Sequence, residues 1–325
     1  MTPFDRILAI LLSLYMTLVP FSSVPAEPTN AKNESAIMLD VALISDVHVK
    51  GEGSKQHQNL ENGLKNLSAN FPKLDAMAVS GDLTNGGEEV SLKLFYEALL
   101  ANTSLGKYIV APGNHDIGHS PLSNSEARKV NIELMNRYLG YENEEIYYSQ
   151  DVNGYTFIVI GDDIGNKSNT PVMSDKQIAF LDEELAKATA EGKPAFVICH
   201  WPLAHTNGID ILWPGGGVNN DNSEKLKAVM EKYKNVFVIT GHTHVGLSSD
   251  LFSKIFGYSF VETKNGVTYV SVPCFGKFNR HIPFSPSIFL RMEVYANKVV
   301  FRPYNLRSLK WYPKYDKTVT LNNIS

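Results

Sequence analysis

Cysteine is scarce in this sequence. Two residues in 325 exclude both a disulfide framework and a Cys-rich metal site, so any metal would have to be held by His, Asp, Glu and Asn. Cys199 and Cys274 could pair with each other or stay as two buried thiols. Positive charge is not in excess either. With 30 Lys and Arg against 34 Asp and Glu, the formal charge is −4, and no specific nucleic-acid binding is expected. No internal repeat, low-complexity run or linker-like boundary interrupts the chain. A content of 43% hydrophobic and 20% charged residues belongs to a globular protein and excludes disorder, collagen and coiled coil. No His-Glu-x-x-His helix is present, and Pro214-Gly215-Gly216-Gly217 is followed by no Gly-Lys-Ser/Thr, so it is not a nucleotide-cradling phosphate loop.

Long apolar runs are also missing. The longest, Ile7–Val19 after Arg6, covers 13 residues, whereas a membrane-crossing helix needs about 20. Ser22, Ser23 and the small-residue site Val24-Pro25-Ala26 follow it. The whole reads as an export signal cleaved after Ala26, with an uncleaved anchor as the alternative. No Cys follows to carry a lipid. Cleavage would leave 299 residues without a membrane span, opening on a polar leader over 27–36 and working in the periplasm, at the cell surface or outside.

From residue 37 onward strand and helix patterns alternate. Strands are expected at Ile37–Ser45, Ala76–Ser80, Lys107–Ala111, Ala195–Cys199 and Val236–Thr240. Helices are expected at Gln58–Ala69, Glu88–Leu100, Glu126–Leu139 and Ser223–Tyr233, and from a capping box at Ser174–Gln177 to about Ala190. Tyr147–Val152 and Tyr155–Ile160 flank Asn153-Gly154, a hairpin signal. The tail is strand-rich, with Tyr269–Val272, Ile288–Tyr295 and Lys298–Tyr304. This order predicts one α/β domain over 37–325 with two sheets.

Five of these strands run straight into polar clusters: Asp46-Val47-His48, Gly81-Asp82, Gly113-Asn114-His115-Asp116, His200, and Gly241-His242-Thr243-His244. Ligands of open α/β sheets gather beyond the carboxyl ends of strands, so the five clusters should meet in one place. Asp-x-His and His-x-His put alternate side chains on one side of an extended strand end. Any one cluster could be an ordinary turn; five in this order, holding five of the nine histidines, point to a metal centre.

The ordered set Asp46-x-His48, Gly81-Asp82, Gly113-Asn114-His115-Asp116, His200, Gly241-His242-x-His244 resembles the signature of the calcineurin-like metallophosphoesterases. That resemblance implies a four-layer α/β/β/α sandwich of two mixed sheets around a dinuclear metal centre. It implies that Asp46, His48, Asp82 and His244 hold one ion and Asp82, Asn114, His200 and His242 the other, with Asp82 bridging. The exported leader, His200-Trp201-Pro202 and the strand-rich tail look most similar to bacterial cyclic-nucleotide phosphodiesterase-like members.

The chemistry is intelligible from the residues. Two ions about 3.5–4 Å apart neutralise phosphoryl oxygens and acidify a water between them, for in-line attack of a metal-bridging hydroxide on phosphorus. Carboxylate, imidazole and amide ligands suit Fe, Mn, Zn or Co equally. His115, beside a ligand but not itself one, is placed to protonate the leaving oxygen or stabilise its charge, and Asp116 is expected to orient that imidazole. His119 and His205 lie just beyond the motifs, as substrate contacts or as surface histidines. His57 and His281 read as structural, and Asp162 and Asp163 as loop caps. The long connection Trp201–Asp221 reads as a lid or specificity loop. The expected substrate is a small phosphate ester, with diesters favoured over monoesters or nucleotides; a non-catalytic binding protein on the same fold is the remaining alternative.

Overall fold

The structure is a computed structural model describing residues 37–165, 170–247, 250–281 and 283–322. The export signal expected at 1–26 and the leader expected over 27–36 lie outside these residues. No helix among the described residues is long and apolar enough to cross a membrane. Along the chain the elements are β1 (Leu39–Ile44), α1 (Lys55–Asn70), β2 (Ala76–Ser80), α2 (Glu89–Asn102), β3 (Lys107–Ala111), α3 (Asn124–Leu139), β4 (Tyr148–Val152), β5 (Tyr155–Val159), α4 (Asp175–Thr189), β6 (Ala195–Ile198), α5 (Ile209–Leu212), α6 (Asn220–Met230), β7 (Val236–Thr240), α7 (Asp250–Phe256), β8 (Val261–Lys264), β9 (Val267–Ser271), β10 (Ile288–Tyr295), β11 (Lys298–Asn305), β12 (Lys310–Trp311) and β13 (Lys317–Thr320).

Two mixed sheets result. The first runs β12-β11-β10-β1-β2-β3, with β13 also on β11; β1, β2 and β3 are parallel, and β10 lies antiparallel to β1. The second runs β4-β5-β6-β7-β9-β8, parallel through its four central strands and antiparallel at both edges. The central strands are apolar on both faces because both faces are covered. In β7, Phe237 and Ile239 join the core between the sheets, while Val236 and Val238 face the layer of α4 and α6 through Leu181, Leu185, Leu226 and Met230. On the far side Leu60, Leu64, Phe95 and Leu99 of α1 and α2 seal the first sheet. Between the sheets runs an aromatic chain, Phe157 to Phe196 to Phe237 to Phe301, with centroids 4.9, 5.5 and 6.1 Å apart. Each such pair adds about 0.5–1.5 kcal/mol beyond its area. The expected four-layer sandwich is the one observed.

Local differences have local causes. The reciprocal half of the capping box at Ser174 is not made: the Ser174 hydroxyl accepts the Gln177 N–H, but the Gln177 amide is turned inward to bond both N–H and C=O of Gly161. A full capping box occurs instead at Ser123 and Glu126. Helix α6 starts earlier than Ser223, because Asn219 caps it and the Ser223 hydroxyl accepts the Ala204 N–H. The hairpin of β8 and β9 around Asn265-Gly266 was not expected beyond its second strand. Cys199 and Cys274 are free, buried thiols.

Candidate metal centre

All five clusters lie past the carboxyl ends of β1, β2, β3, β6 and β7. The loops that carry them are tied together by backbone bonds, Asp46 N–H to Gly81 O (3.0 Å), His48 N–H to Asp82 O (2.9 Å) and Gly241 N–H to His200 O (2.9 Å). A side-chain bond crosses between the sheets, with His200 Nδ1 2.8 Å from Ser80 O. Gly113 must lack a side chain, since a Cβ there would collide with the Asp82 carboxylate.

Asp46, His48, Asp82, His242 and His244 all have left-handed backbones, with φ between 52° and 69°. Such conformations cost of the order of 1–3 kcal/mol each and persist where the surroundings over-determine them. Their ligating atoms converge in two groups, Asp46, His48, Asp82 and His244 in one and Asp82, His200 and His242 in the other, each within 4.8 Å. His244 Nε2 is 2.9 Å from Asp46 Oδ1 and from His48 Nε2. His200 Nε2 is 3.2 Å from Asp82 Oδ1 and 3.0 Å from Asn114 Oδ1, and His242 Nδ1 is 3.2 Å from His200 Nε2. Asn114 thereby adds an amide oxygen to the second group, and Asp82 belongs to both.

The charge distribution asks for cations. Asp46 and Asp82 are fully buried, and among the described residues their ion pairs are with histidines only. Burial alone would lower His200, but Asp82 and Asp46 outweigh it and hold the imidazole up at about 9. Burial is likewise overcome at His244, where Cys274 and Asp46 hold it well above its ordinary value. Each group thus favours positive charge beside its carboxylates. In His48 and His242, burial prevails and lowers both to about 3, leaving neutral imidazoles. Two carboxylates, neutral imidazoles and an amide oxygen are the donors that Fe, Mn, Zn or Co accept, so the residues present fit a metal.

His115 stands at the rim, its Nε2 4.0 Å from Asp82 Oδ2 and its side chain 23% exposed. Its orientation corrects the expectation for Asp116. The carbonyl of Asn85, 2.6 Å from Nδ1, holds the imidazole. Asp116 is fully buried and faces away, accepting from Leu83 N, Gly113 N, Thr84 N and the Thr84 hydroxyl at 2.8–3.0 Å. It braces the Asp82 loop against the Asn114 loop. Its carboxylate is needed as a buried multiple acceptor, a demand that outweighs proximity in sequence to His115.

His119 stacks on His115 at 4.2 Å and has Nε2 3.5 Å from Asn114 Nδ2. His205 is not brought to the centre: it is exposed and pairs with Asp210 at 3.2 Å. His57 accepts from Gly53 N at the start of α1, and His281 is buried and stacked on Phe252 at 4.0 Å. Asp162 accepts from Gly165 N and Val172 N, and Asp163 from Ser174 N. One neighbour had no sequence signal. Trp213, on the long connection after β6, stacks on the His242 imidazole at 4.5 Å and 8°.

Residues 39–246 match the profile of the calcineurin-like phosphoesterase family. A probable glycerophosphodiester phosphodiesterase GpdQ from Arcobacter nitrofigilis is 27% identical over 226 residues, covering 66% of this chain and 75% of the relative. Among solved structures, purple acid phosphatase PPD1 from yellow lupin seeds superposes with a TM-score of 0.61 at 15% identity, over 87% of this chain and 53% of the phosphatase. This chain therefore spans about half the length of the lupin protein. GAP50, the anchor in the inner membrane complex of Plasmodium, superposes at 0.56 with 14% identity, over 88% and 89%. At such identities these two likenesses concern the fold alone. The profile match extends over most of the chain and the ligand residues lie inside it: the chain belongs to the calcineurin-like phosphoesterase family, metal-dependent hydrolases of phosphoric esters.

Proposed function

We propose that the chain is an exported phosphodiesterase working with two metal ions on small phosphodiesters. The observation that carries this reading is the pair of ligand groups joined by Asp82. Asp46, His48, Asp82 and His244 would hold one ion, and Asp82, Asn114, His200 and His242 the other. Bound there, the ions would supply Lewis acidity, neutralising phosphoryl oxygens and acidifying water. The preference for diesters is supported by the likeness to the probable glycerophosphodiester phosphodiesterase of Arcobacter, and export by the apolar run and small-residue site before residue 27.

The part played by the chain itself falls on His115. With Nδ1 bonded to the Asn85 carbonyl, the mobile proton of the imidazolium sits on Nε2, which faces Asp82 and the centre. Burial lowers the pKa of His115, while Asp82 and the Asn85 carbonyl favour the protonated ring that a leaving alkoxide would draw on. His115→Ala should keep its metal and lose turnover by about 10²–10⁴. Turnover of bis-aryl and mono-aryl phosphates, glycerophosphodiesters and cyclic nucleotides checks the substrate class. Normal turnover in a metal-replete variant would remove His115 from the mechanism, and faster hydrolysis of monoesters would remove the diester preference.

A further inference from the structure

A metal-binding histidine is usually oriented by a hydrogen bond from its second ring nitrogen. His200 follows this pattern, with Nδ1 on the Ser80 carbonyl. His242 does not. Its Nδ1 points into the second ligand group, and its Nε2 is buried without a hydrogen-bond partner among the described residues. Its backbone is left-handed at φ 69°, tied by its N–H to the Asp46 carboxylate, and its ring meets His200 only edge-on at 5.0 Å. His48 Nδ1 also lacks a partner, but that ring lies between His115 and His244, at 4.7 and 4.9 Å.

What lies flat on the His242 ring is Trp213, nearly parallel to it. The indole is in turn held from several directions. The Arg280 guanidinium stands 5.6 Å from its centroid, and the Arg280 N–H donates to the His244 carbonyl, so the arginine is anchored to the ligand loop itself. Gly216 packs so closely on the indole that a Cβ would come to 2.6 Å from its ring atoms. Gly217 must pass the Pro202 carbonyl, to which Val218 N–H donates at 3.0 Å. The Pro214-Gly215-Gly216-Gly217 run, which lacks the Gly-Lys-Ser/Thr of a nucleotide-cradling loop, thus has a packing role: it wraps the loop around the tryptophan.

We propose that Trp213 is a positioning residue for the second metal group, fixing the His242 imidazole by stacking in place of the missing hydrogen bond. Through it the connection after β6 reaches the metal ligands, so that loop is a strut of the centre. The inference rests on the two-ion reading of the site. Stacking needs a flat aromatic face. Phenylalanine should preserve it, whereas leucine, which fills similar space, should let the ring swing.

The test is cobalt(II) binding to the full chain and to Trp213→Phe, Trp213→Leu and Trp213→Ala, by equilibrium dialysis and by the visible spectrum of the bound ion. Thermal melts of the metal-free proteins run alongside. The expected result is two ions in the parent and in Trp213→Phe. Leu and Ala variants should keep one ion at parental affinity, bind the other at least tenfold more weakly and show a changed spectrum, with metal-free melting close to the parent. Parental binding and spectrum in Trp213→Leu would overturn the stacking role, leaving only space filling. Equal weakening of both ions together with a lowered melt would also overturn it, assigning Trp213 to the fold. Fewer than two ions in the parent would instead remove the two-ion reading, and the proposal with it.

Discussion

Replacing Asp116 by Asn changes one atom of a buried side chain and should loosen two loops at once. Oδ2 of Asp116 accepts Leu83 N and Gly113 N, and Oδ1 accepts Thr84 N and the Thr84 hydroxyl, which itself accepts Gly87 N. An asparagine must set its NH2 against one of these pairs. In the better orientation one backbone N–H, that of Thr84, loses its acceptor; in the other, both Leu83 and Gly113 do. One orphaned buried N–H costs about 1–3 kcal/mol, and the remaining bonds lose the strength lent by a charged acceptor. The sum is about 3 kcal/mol, or roughly 6 °C in a domain of this size. The bonds lie on the loops of Asp82 and Asn114, so metal affinity should fall with stability. Melting of metal-free Asp116→Asn and its metal content by elemental analysis are the measurements. If Asp116 acted through His115, the variant would melt as the parent does, bind metal normally and lose only turnover. That outcome would refute the bracing role.

Gly113→Ala should leave the secondary structure intact by circular dichroism yet bind little metal, because its Cβ displaces the Asp82 carboxylate; parental metal content would count against it. Burial lowers His281 to about 4, below its value near 6.5 in the unfolded chain. The stability this residue contributes is therefore complete above pH 6.5 and lost as pH falls through 4, by at most about 3 kcal/mol. His281→Phe should lose less melting temperature than the parent between pH 7 and 4, and parallel curves would contradict this. Removing bound ions with a chelator should lower the melting temperature of the parent and restore it on adding metal, because ligands that bind only the folded state stabilise it; no shift would deny a resident metal.

Much of the site was legible because each ligand pattern is local. A mostly apolar strand of four to six residues runs into a short polar cluster, and parallel strands bring such endings to one edge. The same locality explains what was missed. Asp116 neighbours His115 in sequence, yet its acceptors are called on by residues 83 and 84, some thirty positions earlier, and only the pairing of β2 with β3 makes them close. Trp213 meets His242 across 29 positions that include α6 and β7, with no local pattern to announce the contact. Strand β8 carries Glu262, Thr263 and Lys264 at a sheet edge, where one covered face is enough, so its only advance sign was the Asn265-Gly266 turn. Gln177 reads as half of a capping box because sequence rules see only the helix; burial gave its amide the unpaired backbone of Gly161 to satisfy, a larger demand than an exposed cap. Patterns that a chain repeats along itself can be read from the sequence. Contacts chosen because a buried donor, acceptor or ring must be matched from another element depend on the assembled fold, and in this protein those contacts orient the ligands the sequence reveals.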